Sequence, residues 1–265
     1  MPVDTPSLST APSSLSPPSL PDLASPGSSR SHGPDPLYLP PRSVFNDDEC
    51  APLQKPRLLY FGVKGRAEPI RLAFAIAGVD FEDVRLTERA FLSRCRSGSL
   101  PYEQLPVLEM EGHVLSQSFA IMTFVGRRTG LMPAEAWEEA KAAEFVLGVD
   151  EAYSAIAETV REEDVATKMK MRTELASVHL PRTLACLDAL AASNSTPGYA
   201  VGSSLSMADL VLFNLISWLR AGVVSGVPKT LADKHTHIMQ IHATVQSHPR
   251  VQEWYQRPRR PTKRV

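Results

Sequence analysis

Residues 57–78 read RLLYFGVKGRAEPIRLAFAIAG, a short apolar run followed by a glycine-punctuated turn and a longer apolar run. The first run has the length of a strand, and Gly62 and Gly65 interrupt it. The second run has helical periodicity, with Pro69 in its first turn and Gly78 just past its end. The segment therefore predicts a strand, a turn and a helix, which is the opening of an α/β unit.

The α/β pattern continues beyond this opening. Alternation over residues 81–86 predicts a second strand, and the stretch after it is irregular or helical. Residues 105–116 predict a β-hairpin with its turn at Glu111 and Gly112, and residues 118–128 predict a helix. A βαβ unit followed by ββα is the order of a thioredoxin-like domain, which we place at residues 57–130.

Helical patterns alone fill residues 134–256. One apolar face comprises Phe145, Val149, Ala152, Ile156 and Val160, at spacings of three or four residues. A second apolar face comprises Leu180, Leu184, Leu187 and Leu190. Pro181 lies within that stretch and is expected to kink the helix or to mark its late start. The predicted fold class is therefore an α/β thioredoxin-like domain followed by an all-α domain at residues 134–256.

The two ends of the chain have a different composition. Residues 1–56 hold 13 of the 23 prolines and 11 serines, with three basic and six acidic side chains. Such a stretch cannot bury enough apolar surface to offset the entropy of ordering it, so we predict a disordered extension. It lacks the basic start and apolar core of a signal peptide; a plain tail is favoured, with organelle targeting as the alternative. Residues 257–265 are predicted to be a basic tail.

Charge, hydropathy and motif spacing exclude several classes of function. A net charge of −1 provides no field that would recruit nucleic acid or an anionic membrane. No apolar run approaches the length of a transmembrane helix. The three cysteines form no C-x-x-C motif and favour a reducing compartment. His235, His237, His242 and His248 are close in sequence, but positions two apart do not share a helix face, so we predict no metal site.

Five further sequence features belong together: residues 59–71, 104–108, 117–121 and 206–210, and residues 248–251 with Trp254. Together these segments resemble the soluble glutathione transferases, most closely the sigma class, which includes the glutathione-dependent prostaglandin D synthases. The resemblance covers residues 57–256 and leaves out the N-terminal extension. It implies a glutathione-binding thioredoxin-like domain, an all-helical second domain and a homodimer.

The resemblance implies that Tyr60 and Arg66 are catalytic, with Tyr60 also contacting glutathione. A thiol with a pKa of about 8.5 is only a few per cent thiolate at neutral pH, and the thiolate is the nucleophile. A tyrosine hydroxyl at a strand end can donate a hydrogen bond to that anion, and a nearby cation adds to the effect. Lowering the thiol pKa by about two units takes roughly 2.7 kcal/mol of preferential binding to the anion, which such a pair can supply.

The glutathione peptide is expected to lie along two further segments. Gln104 resembles the residue that contacts the glycyl side, and the bond between Leu105 and Pro106 is implied to be cis, so that the Leu105 backbone pairs with the cysteinyl part. Gln117 and Ser118 lie between a strand and a helix, where orphan N–H groups favour the γ-glutamyl carboxylate. Ser118 is also expected to cap that helix.

Two parts of the implied site depart from the family pattern. The stretch before the proline looks two residues longer than in close sigma relatives, and Phe91, Arg94 and Arg96 are the residues available to hold the glycine carboxylate. Asp150 and Glu151 resemble an acidic pair that contacts the γ-glutamyl amine across the dimer interface. A solvated helix face is the alternative for both acidic residues.

The second substrate is expected to be a small apolar electrophile in a pocket lined by Phe61, Val63 and Ile156. Ser206 and Asp209 have the spacing of a capping box, in which each side chain bonds the other residue's backbone N–H. That pair is a folding element and not a catalytic site.

The predicted function is conjugation of the glutathione thiolate to electrophilic apolar substrates by a cytoplasmic homodimer, with glutathione as co-substrate and no cofactor. A glutathione-dependent isomerase of the prostaglandin D synthase type is one alternative, although Glu158 stands where that pocket has a tryptophan. A non-catalytic binding or structural protein on the same fold, like the lens crystallins related to sigma transferases, is the other. Retention of Tyr60, Arg66, Gln117 and Ser118 argues against the second alternative.

Overall fold

A computed structural model of the chain describes residues 55–257. The predicted disordered extension, apart from Lys55 and Pro56, and the predicted basic tail, apart from Arg257, lie outside the described residues. Within residues 55–257 no helix is both long and apolar enough to cross a membrane.

A four-stranded mixed sheet forms the first half of the fold. Its strands are β1 (Arg57–Phe61), β2 (Glu82–Leu86), β3 (Val107–Met110) and β4 (His113–Ser116). They lie in the order β2-β1-β3-β4, with β1 parallel to β2 and β3 antiparallel to both β1 and β4. All four strands were predicted, and the thioredoxin-like order is confirmed.

Three helices accompany the sheet: α1 (Glu68–Ala77), α2 (Glu88–Arg96) and α3 (Ser118–Thr129). A 3₁₀ turn at Gly65–Ala67 leads into α1, and Gly78 ends α1 with φ of 71°, a conformation that favours glycine. The stretch predicted to be irregular or helical is α2, whose N-cap Thr87 accepts a hydrogen bond from the Ala90 N–H.

The second half is entirely helical, as predicted. Its helices are α4 (Ala136–Arg161), α5 (Val165–Glu174), α6 (Leu180–Ala192), α7 (Met207–Arg220), α8 (Thr236–Ser247) and α9 (Pro249–Gln256). Pro181 lies at the start of α6, directly after a π-helical turn at Leu175–His179. A proline has no N–H to donate, and its ring crowds the carbonyl four residues earlier. The wider π turn accommodates both the missing hydrogen bond and the crowding.

One main core runs through both halves. Leu58 of β1 and Ile70 of α1 belong to the same buried cluster as Phe145 of α4 and Leu210 of α7. A smaller cluster on the other face of the sheet contains Leu59, next to Leu58, because adjacent strand residues point to opposite faces.

The predicted apolar face of α4 is buried except at its last position. Phe145, Val149, Ala152 and Ile156 are at most 2% exposed, but Val160 is 58% exposed. Val160, in the last turn of α4, therefore does not share the buried face on which its spacing placed it.

The predicted capping box begins α7 and is fully buried at Asp209. The Asp209 carboxylate accepts hydrogen bonds from the Ser206 N–H at 2.7 Å and from the Ser206 hydroxyl at 2.8 Å. A third bond, from the Ala200 N–H at 2.6 Å, ties in the preceding loop. Burial raises the pKa of Asp209 to about 6, although these donors oppose the rise.

Candidate functional site

Tyr60 lies at the end of β1, beside the turn that leads into α1. Its ring is half-buried, and its hydroxyl accepts a hydrogen bond from the Arg66 backbone N–H at 3.3 Å. Gly65 lies directly against that hydroxyl. A Cβ placed on Gly65 would be 2.5 Å from the Tyr60 Oη, and Gly65 has φ of 45°. The turn therefore requires glycine for two reasons, its backbone conformation and the closeness of the phenol.

Arg66 reaches from this turn to helix α4 of the second half. Its Nε donates to the Asp150 Oδ1 at 2.6 Å, and its terminal nitrogen donates to the Ser154 hydroxyl at 2.9 Å. The guanidinium also lies 5.9 Å from the centre of the Tyr153 ring. Three α4 side chains thus fix the predicted catalytic arginine beside Tyr60.

Arg71 of α1 lies beneath the same turn and is completely buried. Its guanidinium donates to the backbone carbonyls of Phe61, Val63 and Lys64, and it pairs with Glu68 at 3.1 Å and Asp83 at 2.9 Å. It also lies 5.8 Å from the centre of the Tyr60 ring, close enough for a cation–π attraction. A buried cation therefore organises the loop that carries Tyr60.

The partner of Arg71, Glu68, is also buried and connects the loop to the C-terminal helix. It accepts a hydrogen bond from the Trp254 Nε1 at 3.2 Å. Burial, together with the negative charge of Glu68, raises the pKa of Tyr255 well above its usual value. Helix α9 therefore contacts the base of the Tyr60 loop through two aromatic side chains.

Tyr153 and Asn214 form a buried polar pair on the other side of the turn. The Asn214 Nδ2 donates to the Tyr153 Oη at 2.6 Å and to the Gly65 carbonyl at 2.8 Å. Burial, and next the nearby Tyr60, raise the pKa of Tyr153 well above its usual value, so this phenol stays protonated.

Sequence reasoning gave no role to Arg71, Glu68, Tyr153 or Asn214. The available signal was polar or charged side chains inside apolar helical runs, namely Glu68 and Arg71 in α1 and Asn214 in α7. Residues of this kind are seldom fully buried without a polar partner, so their positions alone pointed to an internal network.

The segment predicted to bind the glutathione backbone precedes β3. The Leu105–Pro106 peptide bond is cis, as the resemblance implied. Pro106 is buried, Leu105 is partly exposed, and the side chain of Gln104 is exposed.

Gln117 and Ser118 lie where β4 passes into α3. Gln117 has φ of 70° and ψ of 116°, a conformation that is strained for a residue with a side chain. Ser118 is the first residue of α3 and makes no side-chain cap bond, so the prediction that it caps the helix is wrong. The helix begins without a side chain over its first N–H groups.

A narrow cleft between α3, α4 and α7 joins two of the predicted binding residues. Ser118 and Asp150 line it together with Tyr153 and apolar side chains. Its volume of about 10 Å³ is about that of a single water site. Asp150 thus lies near the start of α3 and also pairs with Arg66, whereas Glu151 is exposed on α4.

The residues predicted near the glycine end of the ligand lie on α2. Phe91 packs edge-to-face on Phe61 at 5.2 Å. Arg94 lies 3.9 Å from Glu109, which also pairs with Arg57, and Arg96 is exposed at the end of the helix.

The three residues predicted to line a second-substrate pocket are in different environments. Phe61 is half-buried next to Tyr60, and Val63 is 59% exposed in the following turn. Ile156 is fully buried on the inner face of α4, so it has no surface to offer a substrate, and we correct that prediction. Lys64, next to Val63, lies over the Tyr255 ring at 4.2 Å.

The four C-terminal histidines have separate surroundings. His235 is buried directly before α8, and His237 pairs with Asp188. His242 lies 3.0 Å from the Ser217 hydroxyl, and His248 accepts a hydrogen bond from the Arg250 N–H at the start of α9. In residues 55–257, no three His, Cys, Asp or Glu side chains are grouped closely enough to hold a metal ion.

Comparisons with known proteins identify the family. The glutathione S-transferase N-terminal domain matches residues 56–127, and the C-terminal domain matches residues 150–258. Glutathione S-transferase 1 of Ascaris suum is 32% identical over 77% of this chain and 98% of its own length. The human hematopoietic prostaglandin D synthase is 29% identical over 76% of this chain and 95% of its own length.

Solved structures agree with these sequence matches. Prostaglandin synthase D of Nilaparvata lugens has a TM-score of 0.69 at 27% identity, covering 77% of this chain and 98% of that chain. The glutathione S-transferase of Ascaris lumbricoides has a TM-score of 0.63 at 29% identity, covering 78% and 99%. The two domain matches, the identity to a full-length relative and the shared fold show that this chain belongs to the glutathione S-transferase family.

Proposed function

We propose that this chain is a glutathione transferase that conjugates the glutathione thiolate to small, apolar electrophiles, with glutathione as a co-substrate and no other cofactor. The observation that carries the proposal is the environment of Tyr60. Its hydroxyl stands at a strand end and receives a hydrogen bond from the Arg66 backbone N–H, and the Arg71 guanidinium lies 5.8 Å from the centre of its ring. An anion placed at this hydroxyl is stabilised by the phenol O–H as a hydrogen-bond donor.

The chemistry follows from that environment. The Tyr60 hydroxyl donates to the glutathione sulfur while its oxygen accepts from Arg66, so the thiol releases its proton to solvent and the thiolate remains bound. The thiolate then attacks an electrophilic carbon. A new S–C bond forms, and the displaced electron pair leaves with the leaving group or takes up a proton.

The binding roles that we propose follow the family pattern. The Leu105 backbone pairs with the cysteinyl part beside Pro106, and Gln104 contacts the glycyl side. Gln117 and Ser118 bind the γ-glutamyl carboxylate, supported by the uncapped first turn of α3 and its positive dipole end.

We further propose a cytoplasmic homodimer in which Asp150 and Glu151 approach the γ-glutamyl amine bound to the partner. In support, Glu151 shares the outward side of α4 with Leu147, four residues earlier, which is 49% exposed. Tyr102 on the loop before β3 is 73% exposed and Phe124 on α3 is 37% exposed. Exposed apolar side chains of this size are typical of an interface.

The test replaces Tyr60 by phenylalanine and compares pH–rate profiles of kcat/KM with a simple electrophile. We expect turnover at neutral pH to fall about ten- to a hundredfold, since the thiol pKa returns toward about 8.5, and to recover partly as the pH is raised. Glutathione affinity should change little, because the peptide is held elsewhere. Tyr199→Phe, in the loop between α6 and α7, is the matched control. An unchanged profile for Tyr60→Phe would exclude the catalytic role.

An isomerase of the prostaglandin D synthase type is the second candidate, and the similarity to the human and insect synthases favours including it. Glu158 is exposed on α4, near the C-terminal end of that helix, where an apolar substrate would meet a charge. Product analysis with a prostaglandin endoperoxide, alongside the conjugation assay, separates the two activities. A non-catalytic protein would bind immobilised glutathione and show neither.

A further inference from the structure

Asn214 is an amide in an otherwise apolar environment. It is 1% exposed, and its neighbours along α7, namely Leu212, Phe213, Leu215 and Ile216, are all buried and apolar. Its Oδ1 atom is buried and has no hydrogen-bond partner among residues 55–257. A leucine of similar size would remove this unpaired acceptor but would leave the Gly65 carbonyl and the Tyr153 hydroxyl without this donor, so the role of the amide lies in those two contacts.

The orientation of this amide follows from the chemistry of its partners. The Gly65 carbonyl can only accept a hydrogen bond, so the Asn214 nitrogen, at 2.8 Å, must face it. The second hydrogen of that nitrogen points to the Tyr153 Oη at 2.6 Å.

The carbonyl that Asn214 contacts belongs to the same peptide group as the N–H that reaches Tyr60. The Gly65 carbonyl accepts from Asn214, and the Arg66 N–H, on the other side of that peptide bond, donates to the Tyr60 Oη. A hydrogen bond received by a carbonyl polarises its amide and strengthens the N–H as a donor. It also fixes the plane of the peptide, and therefore the direction of the N–H.

We propose that Asn214 is a positioning residue that holds and polarises the Gly65–Arg66 peptide group, so that its N–H supports the Tyr60 hydroxyl while Tyr60 donates to the thiolate. The helical half thereby contributes to thiol activation in the α/β half without touching the substrate. This inference rests on the proposed function of Tyr60.

The test measures the ionisation of enzyme-bound glutathione from its ultraviolet thiolate absorbance as a function of pH. In Asn214→Leu we expect the apparent pKa of the bound thiol to rise by about half a unit to one unit, so kcat/KM below that pKa falls about three- to tenfold. Affinity for S-methylglutathione, which has no ionisable thiol, should stay within about twofold of wild type. A residue that only supported folding would not move a thiol pKa in protein that remains folded.

Ser217→Ala is the matched control, because it removes another polar side chain of α7, whose hydroxyl lies 3.0 Å from His242. It should leave the thiol pKa where it is in the wild type. An equal shift in Ser217→Ala would overturn the proposal and assign the effect to the packing of α7. If Asn214→Leu does not fold, Asn214→Ala replaces it, since alanine also has no donor for the Gly65 carbonyl and adds no charge.

A double-mutant cycle with Tyr60→Phe separates this inference from the proposed function. If Asn214 acts through the Tyr60 hydroxyl, Asn214→Leu should cause no further shift in thiol pKa once that hydroxyl is absent. A full additional shift would refute the peptide relay. A wild-type protein that does not ionise bound glutathione would instead refute the proposed function, whereas an ionising wild type with an unshifted Asn214→Leu would refute the relay alone.

Discussion

At the scale of single residues, adding one methyl group at Gly65 should have a large effect on the rate of conjugation. A methyl group added at Gly65 would lie 2.5 Å from the Tyr60 Oη, in a backbone conformation that costs an alanine about 1–2 kcal/mol. We expect Gly65→Ala to lower kcat/KM about ten- to a hundredfold, because the phenol must move away from the sulfur.

Gly78→Ala is the matched control for this substitution. Gly78 also has a positive φ, of 71°, but a Cβ there would meet nothing within 4 Å. It should therefore share the loss of thermal stability and keep its kcat/KM. Similar kinetic losses in both variants would show that backbone strain, and not the contact with Tyr60, is responsible.

Residue-scale prediction was possible where a local motif carries the chemistry, and the roles named in this way stay predictions. Tyr60, Arg66, Gln117 and Ser118 were named because each falls in a short segment that resembles the family. The partners of that segment could not be named in the same way. Asn214 is far from Gly65 in sequence, and an apolar helical pattern does not predict which turn of the chain the Asn214 amide will contact.

At the scale of elements, the buried start of α7 should be more sensitive than an exposed helix start. Asp209→Ala removes three hydrogen bonds and leaves the Ala200 and Ser206 N–H groups buried without a partner. We expect a loss of about 2–4 kcal/mol in urea unfolding, with glutathione affinity retained in folded protein. The reference is Asp164→Ala, which removes an exposed N-cap of α5 and should cost about 1 kcal/mol. Equal losses would contradict the role of burial.

The contact between α7 and α8 should make stability depend on acid pH. Burial lowers the pKa of His242, which packs on Phe213 and lies next to Ser217, to about 4. Between about pH 6.5 and 4 the unfolded chain therefore binds more protons than the folded one. The contribution of His242 to stability is complete above that window and should fall by up to about 3 kcal/mol as the pH decreases through it, whereas Asp209, with its pKa raised to about 6, contributes in the opposite direction.

His242→Gln tests this dependence, since it removes the titrating group. Across the window, the unfolding free energy of the wild type should fall by up to about 3 kcal/mol relative to that of His242→Gln, because Asp209 titrates in both proteins. His113→Gln, on exposed strand β4, should keep the wild-type slope. An unchanged slope in His242→Gln would assign the acid sensitivity to other groups.

Elements were predicted well where periodicity and punctuation agree, as in β1, α1 and the hairpin. The π-helical turn before Pro181 was not predicted. A proline in the sequence indicates that the helical hydrogen-bond pattern must be interrupted, but it does not indicate which kind of irregular turn will form. Helix starts were mixed: the box at Ser206 formed as expected, whereas Ser118 begins α3 without capping it.

At the scale of the whole molecule, we expect folding of the described residues to depend little on residues 1–54. Its first structural contacts are the ion pair of Lys55 with Asp80 and the Pro56 carbonyl, which accepts from the Glu82 N–H at 2.8 Å. Removing residues 1–54 should leave conjugation and association state nearly unchanged, as measured by kcat/KM and light scattering. The longer deletion of residues 1–56 also removes Lys55 and Pro56 and therefore these two contacts, so it should lower the melting temperature slightly. An insoluble or inactive protein lacking residues 1–54 would contradict the prediction.

The predicted fold class, an α/β half followed by a helical half, is confirmed, and the signal for it was the abrupt change from mixed to purely helical periodicity after Pro133. It did not predict how the halves meet. Whether Ile70 packs on its own sheet or on α7 depends on three-dimensional complementarity, which one-dimensional periodicity does not encode. The same limit hid the link from α9 through Glu68 to Arg71.

That link makes Trp254 an optical reporter. Its indole donates to a buried carboxylate and stacks on Phe81 with ring centres 5.8 Å apart. The other two tryptophans have different surroundings, with Trp137 72% exposed and Trp218 packed beside Tyr153. With those two replaced by phenylalanine, the emission of the remaining indole would report whether α9 is seated on the loop that carries Tyr60. If α9 separates from that loop, the fluorescence emission of Trp254 should shift to longer wavelength, and this shift can be followed in real time.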